Sequence, residues 1–207
     1  PPLAQQHAQK VTAACRLIDD ADTLPDLATL AAAVGLSRYH FHRLFKQRTG
    51  LTPKAYAAAR RAERVRKGLQ QHDTVTAAIF DAGFNANSRF YAQADAVLGM
   101  TPGDYRAGGA RTVIRFAVGQ CTLGAILVAQ SERGVCAISL GDDAEALLHE
   151  LQDRFPRAEL IGGDADFERL VATVVGFVEA PALGLDLPLD VRGTAFQQRV
   201  WQALREI

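Results

Sequence analysis

Cysteine is scarce: Cys15, Cys121 and Cys136 are the only three in 207 residues, and no Cys-x-x-Cys occurs. So sparse and odd a count excludes a disulfide framework and a zinc ribbon, and fits reduced thiols in a cytoplasmic chain. No uninterrupted apolar run approaches the ~20 residues that span a bilayer. The stretch PPLAQQHAQK has no apolar h-region, so neither a membrane span nor a signal peptide is expected. Net charge is also lacking, with 23 Lys and Arg against 23 Asp and Glu. What remains, 48% hydrophobic and 22% charged residues, suits a globular chain that buries a core and excludes a collagen-like or disordered one.

The zero net charge conceals a partition. Residues 1–107 hold 14 basic and 9 acidic side chains, a surplus of five positive charges; residues 108–207 hold 9 and 14, the reverse. Between Leu36 and His72 there are ten basic residues and a single acid, Glu63. A basic half joined to an acidic half implies two domains, the first with a polyanion as partner.

The basic half contains a repeat. GLSRYHFHRLFKQRTGLTPKAY (Gly35–Tyr56) matches GFNANSRFYAQADAVLGMTPGDY (Gly83–Tyr105), with 48 residues from Gly35 to Gly83 and 49 from Pro53 to Pro102. Such a period fixes the architecture before any other signal. In the first copy Asp26 to Val34 predicts a short helix, Gly35 stops it, and Ser37 caps the next. Phe41, Leu44 and Phe45 then form one apolar face. Tyr39, His42, Arg43 and Lys46 form a different face, basic and aromatic. Two helices across a tight glycine turn, the second with a donor-rich outer face, describe a helix-turn-helix whose second helix can enter a major groove. A charge run by itself would suggest only a solvated surface helix; duplication, clustering and a segregated donor face favour nucleic acid.

Thr52 and Pro53 open a third helix without a breaker until Gly68. Its ~18 residues at ~1.5 Å each give a rod of ~27 Å, able to space two reading helices by about one DNA turn. Arg60, Arg61, Arg64, Arg66 and Lys67 lie along or near it. Arg60, Arg61, Arg64 and Lys46 are the candidates for phosphate contact, which adds affinity and salt dependence but no sequence choice. Base-reading candidates are Arg38, Tyr39, His42 and Arg43 in the first copy. In the second they are Asn87, Ser88 and Arg89, with Tyr91 and Ala92 on the same face and Asp95 where the first copy has Lys46. The second copy is expected to read less.

Residues from about Gln5 to Arg106 resemble the AraC/XylS family DNA-binding domain. The match rests on G-L-S-x-x-x-F-x-R-x-F-K-x-x-x-G-x-T-P (Gly35–Pro53) and A-G-F…S-R-F…G-M-T-P (Ala82–Pro102). That resemblance implies an all-α double helix-turn-helix over residues 1–107, a role in transcription, and base contacts at Tyr39, His42 and Arg43.

Gly108-Gly109 breaks the composition and is expected to be a linker. TVIRFAVGQC, TLGAILVAQS and VCAISLG predict three strands. Asp142–Phe155 predicts a helix with Ala146, Leu147, Leu148 and Leu151 inward. Asp164–Glu179 predicts another, carrying Phe167, Leu170, Val171, Val174, Val175 and Phe177–Val178. LGLDLPLDV predicts a further strand. Thr194 and Gln197 form a capping box opening a last helix with Phe196, Val200, Trp201 and Leu204 on one stripe. Too little chain follows that stripe to cover it, so the architecture is expected to be cut.

Leu123–Asp142, Arg154–Ala158 and Gly193–Leu204 resemble the methylated-DNA–protein-cysteine methyltransferases. The order of the two halves is that of the Ada-type bifunctional regulators. The resemblance implies a small α/β ribonuclease H-like subdomain at residues 108–192 and, at 193–207, the first helix of a truncated catalytic subdomain. It implies double-stranded DNA and RNA polymerase as partners, and repair of O6-alkylguanine by methyl transfer to a cysteine in a Pro-Cys-His-Arg motif. No such motif occurs here, so the stretch alone is expected to be inactive. Rival readings are a repair enzyme merely localised by its helix-turn-helix pair, and a metabolic regulator whose second half senses a ligand.

None of the three cysteines has a cation placed to activate it, and each reads as a small hydrophobe rather than a catalytic residue. His40 and His42 flank Phe41 on different helix faces, and Asp164, Asp166 and Glu168 sit together at one helix start. Neither group makes a metal site, and no cofactor is expected.

Arg43→Ala is expected to weaken a specific duplex by ~1–3 kcal/mol and to relax base choice there. Equal loss on random duplexes in a competition gel shift would contradict a reading role.

Overall fold

A computed structural model describes residues 2–84, 86–180 and 187–206. Contacts divide the chain into two compact units: Pro1–Arg61 with Ala180–Arg199, and Ala62–Glu179 with Val200–Ile207. Packing thus divides the chain inside its long central helix, whereas composition divides it near residue 108. The two divisions rest on different grounds, three-dimensional contact in one case and sequence character in the other.

In the first unit, α1 (Leu3–Asp20) turns Ala8, Val11, Ala14, Cys15 and Ile18 to one side, the stripe that a 3.6-residue period produces. α2 (Leu27–Ala33) starts at Asp26, whose carboxylate accepts from the Thr29 amide at 2.7 Å. It stops at Gly35, whose φ of 64° lets the Leu36 amide turn back to the Ala31 carbonyl at 2.9 Å. α3 (Arg38–Thr49) is capped by the Ser37 hydroxyl and ends at Gly50. α4 (Pro53–Gln71) follows Thr52, whose hydroxyl accepts from the Ala55 amide at 3.1 Å. Phe41, Leu44, Phe45 and Tyr56 meet the α1 stripe, together with Val191 and Ala195 of α11 (Leu189–Arg205). Phe45 stacks edge-on against both Phe41 and Tyr56, at 5.7 and 5.8 Å between ring centres. Each such buried side chain contributes about 1.5–3 kcal/mol.

In the second unit, α5 (Val75–Asp81), α6 (Asn87–Tyr91), α7 (Ala94–Leu98) and α8 (Pro102–Arg106) precede a four-stranded mixed sheet. Strands β1 (Val113–Cys121), β2 (Gly124–Ser131) and β3 (Gly134–Gly141) form an antiparallel meander, where the sequence placed three strands. After α9 (Ala144–Arg154), β4 (Glu159–Gly162) pairs parallel to β1, giving the order β3-β2-β1-β4. α10 (Ala165–Glu179) then packs on β1, and α9 on β2 and β3. A core running from Val65 and Leu69 through Phe90 and Leu98 to Ile114, Leu127 and Phe155 is continuous from helices to sheet.

Several sequence expectations need correction. The fourth strand is Glu159–Gly162, a short exposed edge too brief to show alternation. In LGLDLPLDV, by contrast, Leu189–Val191 is already helix, and the part before Leu187 lies outside the described residues. α11 begins after Pro188, so Thr194 is no cap; its hydroxyl donates to the Asp190 carbonyl at 3.0 Å inside the helix. The early start buries Val191 and Ala195, which outweighs the ~1 kcal/mol cost of Gly193 in a helix. The Trp201 stripe does not lack cover: its indole is buried and donates to the Ala96 carbonyl at 3.2 Å. Gly108 and Gly109 form a packed corner rather than a loose linker, the Gly108 carbonyl accepting from Arg157 at 2.9 Å. Ala146 and Phe177 face outward, Phe177 being 74% exposed. Finally, the second reading helix is two short helices, parted where Gln93 leaves helical geometry (φ −125°, ψ 11°).

Gly99 sits at φ 63°, where an added Cβ would lie 2.5 Å from the Gly134 carbonyl oxygen. Gly99→Ala is expected to cost at least ~2 kcal/mol, from left-handed strain plus overlap with backbone. Gly176, with nothing within 4 Å of its would-be Cβ on α10, is expected to gain up to ~1 kcal/mol as Ala. Urea unfolding of both variants checks the opposite signs.

Candidate nucleic-acid interface

The first copy builds its outer face by burying the opposite one. Phe41, Leu44, Phe45 and Thr49 are buried along α3, while Arg38, Tyr39, His42, Arg43 and Lys46 are exposed. Tyr39, at 76% exposure, is a large aromatic side chain left in water among the polar side chains of that face. The Arg43 guanidinium lies over its ring at 5.7 Å, a cation–π contact of about 0.5–1 kcal/mol at an exposed site. That contact pre-orders two of the groups assigned to bases. His40 faces elsewhere, edge-on to His7 of α1 at 5.9 Å, so the two histidines are on separate faces as their spacing required.

The turn before α3 is braced by a residue the sequence did not single out. Lys10 of α1 donates through Nζ to the Val34 carbonyl at 2.6 Å and to that of Gly35 at 3.4 Å. A cation there neutralises the carbonyl end of α2. Buried Thr49 donates to Phe45 and accepts from the Leu51 amide, closing the far end of α3.

Along α4 the basic residues separate by neighbour. Arg60, half-buried, holds the Asp19 carboxylate at 2.6 Å, and the Tyr56 hydroxyl donates to the same group at 3.4 Å. Burial pushes the Asp19 carboxyl above its usual range, and Arg60 pulls it back. The charge at position 60 therefore has a role inside the fold. Arg61 and Arg64 are half-exposed, and Lys67 pairs with Glu63 at 2.8 Å. Arg66, in the same basic run, turns inward instead. It lies over the Trp201 ring at 3.9 Å and donates to the Val97 carbonyl at 3.0 Å, and burial lowers its pKa to about 10.

In the second copy Ser88, Arg89, Tyr91 and Ala92 are exposed on or beside α6. Asn87 is half-buried, with Oδ1 turned inward and unpaired among the described residues. Asp95 pairs with Arg133 at 3.2 Å, in the turn between β2 and β3. No local pattern announces that pair, because its partners stand 38 residues apart.

The thiols are inert by environment. Burial pushes Cys15 and Cys136 up to about 12, and raises Cys121 as well. No described helix is long and apolar enough to cross a membrane.

Comparison with known proteins adds kinship to this geometry. The family model described as a helix-turn-helix domain matches residues 30–108. The bifunctional transcriptional activator/DNA repair enzyme Ada of Escherichia coli K12 is 49% identical over 205 residues, 99% of this chain and 58% of that protein. The regulatory protein ada of Salmonella typhimurium LT2 is 47% identical over 200 residues, 97% of this chain and 56% of that protein. The chain thus spans less than three fifths of the length of these relatives. No solved structure matches it.

Burial pushes all three thiols upward and encloses Cys15 and Cys136 completely, while Cys121 is partly open to solvent. A disulfide reagent such as Ellman's is expected to find Cys121 first and to reach Cys15 and Cys136 only as the chain unfolds. Three fast thiols in the folded protein would contradict that burial.

Proposed function

We propose, from 49% identity to an Ada protein over 99% of the chain, that this is the DNA-reading and scaffold portion of an alkylation-response regulator of the Ada type. Its substrate for binding is double-stranded DNA, read in the major groove by α3. The observation that carries this is the face of α3 itself: Arg38, Tyr39, His42, Arg43 and Lys46 exposed together above a buried Phe41–Leu44–Phe45 anchor. Arg38 and Arg43 suit guanine edges, Tyr39 and His42 offer hydrogen-bonding and apolar contacts, and Lys46 suits phosphate. Arg61 and Arg64 on α4 add phosphate contacts, and Arg60 adds its charge to the positive potential of the same helix. In the second copy Ser88 and Arg89 are the base candidates, and Asn87 contributes less.

The sheet order β3-β2-β1-β4, with β4 parallel to β1, supports a ribonuclease H-like reading of the subdomain assigned to residues 108–192. The DNA-binding domain over 1–107 and the start of a catalytic subdomain at 193–207 rest on the sequence resemblance, α11 itself running from Leu189 to Arg205. The methyl acceptor of the repair reaction is none of Cys15, Cys121 and Cys136: two are fully buried, and burial pushes all three thiols above their ordinary range, away from the thiolate. Transcription through RNA polymerase at a promoter, in the cytoplasm, completes the reading.

The test is selection of duplexes from a random pool by the intact chain, followed by binding across a salt series. Specific sequences should emerge. Lys46→Ala, Arg61→Ala and Arg64→Ala should each flatten the salt slope by about one, without altering the preferred sequence. Arg60→Ala should chiefly lower stability, by ~1–2 kcal/mol, since it removes the nearer cation from a largely buried Asp19 and leaves that carboxylate the Tyr56 hydroxyl and the more distant Arg16. Failure to enrich any sequence, with slopes unmoved by the three variants, would overturn the proposal.

A further inference from the structure

The second copy of the repeat contradicts its own sequence. Asn87–Leu98 occupies the place before Gly99 that Arg38–Thr49 occupies before Gly50, and α3 is one uninterrupted helix. The second stretch has no Gly or Pro, and the residues at the break, Ala92, Gln93 and Ala94, are strong helix formers. Propensity therefore calls for one helix, yet α6 and α7 part at Gln93. Such a conflict between local preference and observed shape points to a force from elsewhere in the fold.

That force is visible at the end of α7. The last carbonyls of a helix lack partners within it, and here three of them are taken by side chains remote in sequence. Trp201 Nε1 donates to Ala96 at 3.2 Å, Arg66 Nε to Val97 at 3.0 Å, and the Ser131 hydroxyl to Gly99. Stacking of Arg66 over Trp201 ties the first two donors together. Outside them Arg133 pairs with Asp95 at 3.2 Å. Gly99 abuts the Gly134 and Val135 carbonyls with no room for a side chain. At the other end, buried Phe90 stacks on Phe84 at 5.2 Å and fixes α6. With both ends held, the stretch cannot straighten without losing the α7 contacts.

Resting on the DNA-binding reading above, we infer that Trp201, Arg66 and Ser131 form a clasp that holds the second recognition helix broken, and that its release joins α6 and α7 into one helix competent to enter a groove. The clasp restrains DNA reading by the second copy. A change that shifts α11 or the β2–β3 turn raises affinity for the specific site by freeing α7. Such an element, with two discrete arrangements biased by remote contacts, is what a conformational switch requires.

The test uses the full chain and charge-neutral variants: Trp201→Phe, which keeps an aromatic ring but loses the donor, Ser131→Ala, and both together. Arg133→Gln, at an exposed ion pair, serves where Trp201→Phe fails to fold. Carbon-13 chemical shifts of Gln93 and Ala94 report the break directly, without DNA. Binding is measured on a duplex selected by the unaltered chain and on a random duplex. The expected result is a move of both shifts to helical values, with affinity for the selected duplex rising about fivefold or more and random binding unchanged. Shifts that stay non-helical in every folded variant overturn the clasp, as do helical shifts with unchanged or weaker selected binding. If the unaltered chain selects no duplex, the DNA reading fails instead, and the shifts still decide whether the helix has two states.

Discussion

Burial of Phe41, Leu44 and Phe45 is the constraint from which the first copy's chemistry follows. These residues repeat at the helical period, so sinking them into α1 and Tyr56 leaves one orientation for α3. The outer face is then set without further instruction: Tyr39, Arg43 and Lys46 stand in water because the other side cannot. Loss of the anchor would cost several kcal/mol of transfer energy, but its functional consequence is larger. A helix free to rotate presents no fixed pattern of donors to a base edge. The caps at Asp26 and Ser37 set where the helices start, and Lys10 ties the turn between them to α1. Together they set the register of that face along the helix as well as its direction.

The two copies show how one sequence pattern serves two ends. Both have an apolar helix, a glycine turn, a second helix and a Thr-Pro exit. In the first copy the exit glycine, Gly50, is followed by the start of α4. In the second, Gly99 is pressed against the carbonyls that open β3. Close backbone approach of that kind needs a residue without Cβ, and it makes the end of α7 part of the sheet's packing. The second copy is thereby a structural joint, and its lean outer face, with Asp95 where the first copy has Lys46, accords with that duty.

Local signals made much of this legible in the sequence. Caps, turn glycines and the Phe41–Leu44–Phe45 spacing involve residues within a few positions of one another, and α2 to α4, the three-stranded meander, α9 and α10 follow from such local signals. What escaped depends on partners far along the chain. β4 is only four residues long and owes its existence to pairing with β1. Trp201 lies near the end of the sequence, so the sequence seemed to offer it nothing to pack on; its cover is α7, 105 residues earlier. Arg66 read as a surface cation because its neighbours are basic, yet stacking on that indole draws it inward. The broken second helix is the clearest case, since every residue at the break favours the outcome that does not occur.

The charge partition acquires a finer meaning once these partners are known. The basic run from Leu36 to His72 is one block in the sequence, but its members do different work. Arg60 neutralises Asp19, Arg66 caps Val97, Lys67 pairs with Glu63, and Lys46 remains beside Tyr39 and Arg43 on the outer face. A count of positive charges therefore overstates the number available to phosphates, and the ionic-strength dependence of DNA binding should reflect the exposed subset rather than the total. Conversely, the buried cations explain why the run includes arginine at just these positions. A guanidinium can stack on an aromatic face and still direct an N–H at a carbonyl, which a lysine ammonium does poorly. The same residue type thus supplies long-range attraction on one side of a helix and fixed internal joints on the other.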